Sequence, residues 1–159
     1  MVDEQFDLND VLRMVLETMV RALDFRRVVL LLRDPRADVL VGRFGLGEGA
    51  AELAPCCQVA LKPAPGSAPD LFTTVCLRGA DTLITDAGAA SIATRLPDWH
   101  ARRFGARTFV LLPMTLKGAA FGLIYADKPE AGSIRLDEKA LNLLRTLRNQ
   151  AVMAFRQKS

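Results

Sequence analysis

The sequence predicts an α+β domain built around one central antiparallel sheet of five or six strands, covered on both faces. Three observations predict it. Residues Thr108 to Lys128 read TFVLLPMTLKGAAFGLIYADK, two apolar runs joined at Lys117-Gly118, where glycine takes the positive φ that a tight hairpin turn needs. Neither run alternates apolar with polar. Val110, Leu112 and Met114 face one way and Phe109 and Leu111 the other, while Phe121, Leu123 and Tyr125 oppose Ala120, Gly122, Ile124 and Ala126. A hairpin that is apolar on both sides sits centrally in its sheet and needs a cover on each face. Finally, amphipathic helices stand at the two ends of the chain with strands and short irregular helices between them, the order of an α+β sandwich.

Taken in order, Leu8, Val11, Leu12, Val15, Leu16, Met19, Val20 and Leu23 recur at helical spacing and predict a helix over 8–23. Asp7 is its expected cap, Asp10 places negative charge in its first turn, and Glu17 with Arg21 forms an i,i+4 pair. Arg27 to Arg33, apolar on both faces through Val28-Val29-Leu30-Leu31-Leu32, is an interior strand. Asp34 to Asp38 turns the chain, and Val39 to Phe44 returns as its hairpin partner. Residues 45–70 are rich in Gly and Pro and read as loop, with Cys57 to Leu61 as a short edge strand. Within them, Gly45-Leu46-Gly47-Glu48-Gly49 is weighed as a phosphate loop, but no helix is expected directly after it, so it reads as a strand-end turn. Leu71 to Arg78 is a helix with Asp70 as cap and Gly79 as stop; Thr82-Leu83-Ile84 is a brief strand; Ser91 to Arg103 carries weak helical signals interrupted at Pro97. After a loop at Pro129 to Ser133, Asp137 caps a last helix carrying Ala140, Leu143, Leu144, Leu147, Ala151, Val152, Ala154 and Phe155.

Composition narrows the class. The 159 residues are expected to form a single domain, 1–159, excised from a longer chain and able to fold without disulfides or metals. Half the residues are apolar and no apolar run approaches membrane-spanning length, so no membrane partner is expected. The start, Met1-Val2-Asp3-Glu4-Gln5, is acidic where a secretory signal is basic and then apolar, and three cysteines, two of them adjacent, make a poor disulfide framework; both point to the cytoplasm. The net charge of +3 is spread among 18 acids and not gathered in one run, so no nucleic-acid partner is expected.

The succession of helix, strand hairpin, variable loop-and-helix region, Gly79-Ala80-Asp81-Thr82-Leu83-Ile84-Thr85-Asp86, Leu112-Pro113-Met114 before Gly118, and Phe121-Gly122-Leu123-Ile124-Tyr125-Ala126-Asp127 resembles the GAF family. Within it, the chain looks most like the GAF-like domain that lies C-terminal in bacterial proteins carrying an HDOD domain. Leu30-Leu31-Leu32-Arg33-Asp34-Pro35-Arg36, Gly122 to Asp127 and Leu147-Arg148-Asn149-Gln150-Ala151 carry that likeness. The resemblance implies a GAF-like (profilin-like) sandwich with the terminal helices on one face and short helices and loops on the other. It also implies a sensory or regulatory module of bacterial signal transduction, with a small-molecule pocket beneath the irregular cover.

Candidate chemistry is weighed against plainer readings. GAF-type methionine sulfoxide reductases use cysteines, but their Cys-Gly turn and second Cys-Asp pair are missing here, and Cys56, Cys57 and Cys76 read as small buried hydrophobes. Adjacent cysteines without a C-x-x-C or paired His suit zinc poorly, so no metal site is expected. Cyclic-nucleotide GAF domains resemble one another in an Asn-Lys and a later Phe that this chain lacks, although it has Asp127-Lys128; Asp137-Glu138 reads as helix-start charge. Arg102, Arg103 and Arg107 are weighed as an anion site and as a solvated face. No constellation supports a triad around His100, so no enzyme and no catalytic residue is expected. The expected ligand lies between the sheet and the segments Leu71 to Cys76 and Ile92 to Phe104, with Phe72, Cys76, Trp99, His100 and Phe104 as its lining; its identity, and any cofactor, stay open. A homodimer is expected through the terminal helices, because the last helix spreads its apolar side chains widely, with Leu141 and Leu143 on opposite sides. The alternatives are an interaction module without a ligand and a small redox enzyme.

Overall fold

The computed structural model describes residues 8–158. In chain order, α1 (Leu8–Ala22) leads into β1 (Arg27–Arg33) and β2 (Val39–Gly47), and α2 (Ala50–Leu53) with a 3-10 turn (Ala54–Cys56) precedes β3 (Gln58–Ala60). Then come α3 (Leu71–Arg78), β4 (Thr82–Ile84), α4 (Ala90–Ala93), α5 (Asp98–Arg103), the hairpin β5 (Thr108–Leu116) and β6 (Ala119–Lys128), and α6 (Glu138–Lys158). The strands pair antiparallel in one six-stranded sheet of order β3-β2-β1-β6-β5-β4, so the hairpin is interior and β3 and β4 form the edges. Its connection turns with positive φ at both Lys117 (53°) and Gly118 (79°), the two-residue geometry whose twist matches that of the flanking strands.

Each face of the sheet has its own core, as the non-alternating runs require. On one face Val28, Leu30, Val110, Leu112, Met114, Ile124 and Ala126 pack beneath α1, through Leu12, Val15, Leu16 and Met19, and α6, through Leu144, Leu147 and Ala151. On the other, Val29, Leu31, Phe109, Leu111, Leu123 and Tyr125 pack beneath α3 and the short helices. Asp70 accepts a hydrogen bond from the Thr73 amide (2.8 Å) at the start of α3, Gly79 ends that helix with φ 64°, and Asp137 accepts from the Ala140 amide (2.8 Å) at the start of α6. The expected cap at Asp7 lies outside the described residues.

Three expectations need correction. Phe121 does not share a face with Leu123 and Tyr125. The register runs from Met114↔Gly122 to Thr115↔Ala120, so Phe121 is the extra residue of a β-bulge. It packs on the helix side instead, edge-on to Phe155 with ring centroids 5.3 Å apart. Secondly, residues 45–47 are not loop: β2 runs through Gly47, and a Cβ on Gly42 or Gly45 would lie 2.0 Å from the Ala54 carbonyl oxygen or 2.3 Å from that of Ala50. These glycines let α2 and the 3-10 turn lie directly on the strand backbone. Lastly, a helix does open after Gly49, but α2 has only four residues, too few to show periodicity or to build an anion site. On the last helix, Leu143, Val152 and Phe155 join the rim of the core, so less apolar surface is left over than the sequence suggested, and Met153 is the large apolar side chain exposed there.

Candidate functional site

The cover over the second face brings the expected residues into one core. Phe72, on the inward side of α3, is fully buried, and Cys76 follows one turn later in the same core. Pro97 holds the extended backbone before α5, after which His100 points inward and is buried while Trp99 stays half-buried. Trp99 donates its indole N–H to the Gln58 carbonyl on the edge strand β3 (2.9 Å). Four aromatic rings then meet: Phe72 touches Trp99 (centroids 5.1 Å) and His100 (5.5 Å), and His100 stacks on Phe104 (5.2 Å, 19° between planes). The sheet adds two more, since Phe109 lies 4.8 Å from the His100 ring and Tyr125 5.2 Å from that of Phe104.

Beneath the rings runs a buried polar chain that sequence reasoning missed. His100 Nε2 lies 2.9 Å from the Tyr125 hydroxyl, and that hydroxyl donates to Asp127 Oδ2 (2.6 Å). Asp127 is fully buried and accepts from Arg27 (Nη2 to Oδ2, 2.9 Å; Nε to Oδ2, 3.2 Å) and from Arg26 Nε (3.2 Å). Both guanidinium groups also donate to the Phe104 carbonyl, and that of Arg27 lies 4.9 Å over the Phe104 ring, so the end of α5 is tied to β1. A signal for this chain was present. Tyr125 and Asp127 stand two apart on β6, on the face of Leu123, and a carboxylate on an interior face needs a cationic partner. The partner comes from the neighbouring strand, where Arg27 pairs directly with Asp127.

The protonation pattern follows. Burial, and then the nearby charge of Arg27, push the His100 pKa down to about 3, so the ring is neutral at physiological pH. Burial and the charge of Asp127 push Tyr125 well above its usual range, so it keeps its proton. That one proton goes to the carboxylate. The phenol oxygen must then accept from His100 Nε2–H, which leaves Nδ1 as an acceptor, and Nδ1 is buried with no partner among the described residues.

The remaining candidates are less chemically disposed. Burial pushes the Cys57 thiol up and the Cys76 thiol up to about 12, while Cys56 Sγ donates to the Leu53 carbonyl (2.9 Å). Arg102 and Arg103 are exposed on the last turn of α5, and Arg107 pairs with Asp86 (3.1 Å). Among the described residues no group of three or more His, Cys, Asp or Glu is placed to hold a metal ion, and no helix is long and apolar enough to cross a membrane. A polar groove of about 300 Å³ lies between the end of α3 and α6, but its Arg145 and Arg148 are engaged by Asp81.

The family model for the GAF domain matches residues 7–155. No curated protein matches the chain. Among solved structures, similarity extends to residues 122 to 287 of a methyl-accepting chemotaxis protein (23% identity, 95% of this chain and 90% of that one, TM-score 0.71). It extends also to the GAF domain/HD domain protein from Geobacter sulfurreducens (13%, 95% and 93%, TM-score 0.71). A third similar structure is the free methionine-R-sulfoxide reductase from Neisseria meningitidis in complex with its substrate (20%, 99% and 84%, TM-score 0.70). At these identities the likeness shows a shared fold.

Proposed function

Because the chain belongs to the GAF domain family, we propose that it is a non-catalytic sensory domain that binds a small molecule between the sheet and the cover formed by α3 and α5. One observation carries the reading. His100 Nδ1 is a buried acceptor with no partner among the described residues, set among the aromatic rings of the cover, and such a group costs about 1–3 kcal/mol. A cost of that kind is retained where a ligand repays it. The lining is then Phe72, Cys76, Trp99, His100 and Phe104, with Tyr125 and Asp127 behind them.

Signalling is supported by the chemotaxis protein among the similar structures. A place in a longer cytoplasmic chain, of the kind in which a GAF-like domain accompanies an HDOD domain, is supported by the matching motifs at Leu30 to Arg36 and Leu147 to Ala151 and by the similar GAF/HD protein. Absence of catalysis is supported by two of the three thiols, since burial suppresses thiolate formation at Cys57 and Cys76. We further propose a homodimer through α1 and α6, which pack against each other and leave Met14 and Met153 exposed. A ligand-free interaction module is the second reading, favoured by the near-parallel stacking of His100 on Phe104.

A thermal-shift screen of metabolites and nucleotides tests the ligand reading, because any compound that binds only the folded state raises Tm. The expected result is a shift that is lost in a Trp99→Ala variant, since the Trp99 side chain is only half-buried. A compound that stabilises the protein but shields α1 and α6 in hydrogen exchange, and not α3 and α5, would overturn the placement.

A further inference from the structure

Resting on the reading that a ligand binds beneath α3 and α5, we infer that this ligand is an uncharged molecule that donates an N–H or O–H to Nδ1 of His100. The direction of that bond is set by the chain behind it. Asp127 is held as an acceptor by Arg26 and Arg27; Tyr125 has a single proton and gives it to Asp127; the His100 proton is therefore committed to the Tyr125 oxygen. Reversing His100 would leave two lone pairs facing each other at 2.9 Å and would break a buried network. What remains on the other ring nitrogen is one buried acceptor of fixed sense.

This selects among ligand classes. A carboxylate or phosphodiester has only acceptors to offer and would set its lone pairs against that of Nδ1. A cation meets the field of Arg27, whose guanidinium lies over the neighbouring Phe104 ring. A neutral amide, ring N–H or hydroxyl has neither fault. The ring of His100 is in contact with those of Phe72 and Phe104 (centroids 5.5 Å and 5.2 Å), so a ligand enters only by displacing a ring of the cluster. Trp99 is the half-buried member of the cluster, held by its bond to the Gln58 carbonyl, and is the ring that must move to admit such a molecule.

The chain has one histidine, so the imidazole nitrogens of 15N-labelled protein report on this site alone. In the free protein at neutral pH they should show the Nε2–H tautomer with an unbonded Nδ1. Matched probes then test the bond: indole against 1-methylindole, benzamide against N,N-dimethylbenzamide, and benzoate as an anion. Indole or benzamide should raise Tm and shift the Nδ1 resonance, its methylated partner should bind about tenfold more weakly and leave Nδ1 unmoved, and benzoate should not bind. In a His100→Phe variant, which keeps a ring in the cluster, the donor and methylated probes should bind alike. An Nδ1–H tautomer, an Nδ1 already bonded by a water that no probe displaces, or equal binding of both members of each pair overturns the inference. If a metabolite from the broader screen binds at this cover with Nδ1 unmoved, the pocket stands and the inference falls; if nothing in either set binds, both fall.

Discussion

Asp81 and Arg148 hold each other across the edge of the sheet, with Nη1 2.6 Å from Oδ1 and Nη2 3.1 Å from Oδ2. Asp81 lies between α3 and the edge strand β4, and Arg148 lies midway along α6 on the opposite face. Arg148 also donates to the Pro113 carbonyl (3.0 Å), and Arg145 Nε reaches Asp81 at 3.3 Å. The side chains of Asp81 and Arg148 are 19% and 15% exposed, so the pair is shielded in a way that surface pairs are not. It links the segment that follows α3 to the terminal helix α6.

Asp81→Asn should therefore cost about 1–3 kcal/mol in urea unfolding, because it leaves a part-buried guanidinium without its charge partner. Glu17→Gln, which removes the exposed i,i+4 pair with Arg21 (3.6 Å), should cost less than about 0.5 kcal/mol. Hydrogen exchange in α6 should rise in the Asp81 variant. Equal effects of the two substitutions would show that Asp81 does not help to hold α6.

His100→Phe should be close to neutral for stability, within about 1 kcal/mol, because deleting the unpaired Nδ1 acceptor offsets the loss of the Nε2–H bond to the Tyr125 oxygen, while Tyr125 keeps its bond to Asp127. Phe72→Ala, which empties a fully buried position, should cost about 3–5 kcal/mol. A His100→Phe loss as large as that of Phe72→Ala would make His100 a structural keystone and weaken the case for a ligand-facing role.

Acid should destabilise the protein through His100. Its folded pKa, about 3, lies below the unfolded value near 6.5, so between these limits the unfolded chain binds the extra proton and stability falls as pH drops through that window. The contribution is fully present above about pH 6.5 and is on the order of a few kcal/mol. Melting curves from pH 7 to pH 4 should show a steeper decline for the wild type than for His100→Phe, since the carboxylates common to both cancel. Parallel curves would mean that the ring is protonated in the folded state.

Native alkylation should find one thiol. Cys56 is half-buried, whereas Cys57 and Cys76 are buried with their pKa values pushed up. Iodoacetamide at neutral pH should label Cys56 first, and the others only on unfolding, as read by mass spectrometry. Rapid labelling of Cys76, together with reduction of free methionine sulfoxide that a triple cysteine variant lacks, would replace the non-catalytic reading with a reductase.

Sedimentation at several concentrations should show a dimer in the micromolar range, weakened by Met14→Lys or Met153→Glu on the exposed sides of α1 and α6. Charge at Val152 is a poorer probe, because Val152 packs against the core and its replacement also perturbs folding. A monomer throughout that range rejects the terminal-helix interface.

The elements that the sequence determined by itself are those whose causes lie within a few residues. α3 begins at its Asp70 cap and ends at its Gly79 stop, β1 and β4 follow their apolar runs, and the hairpin turns at Lys117-Gly118. The demand for cover on both faces was equally local, since it needed only the absence of alternation in β5 and β6. The grouping of Phe72, Trp99, His100 and Phe104 was legible to the extent that all lie on the irregular cover. Tertiary structure alone decided the rest. Phe121 changes face because one extra residue must be absorbed against the register of β5, and Gly42 and Gly45 are required by backbone from α2 and the 3-10 turn pressing on β2. Arg27 meets Asp127 across 100 residues of chain, and only that meeting makes Tyr125 a donor to the carboxylate and leaves His100 Nδ1 bare. Periodicity reports which way a side chain faces; which polar group it meets there depends on strand order and register, and these are set by the packing of the whole sheet.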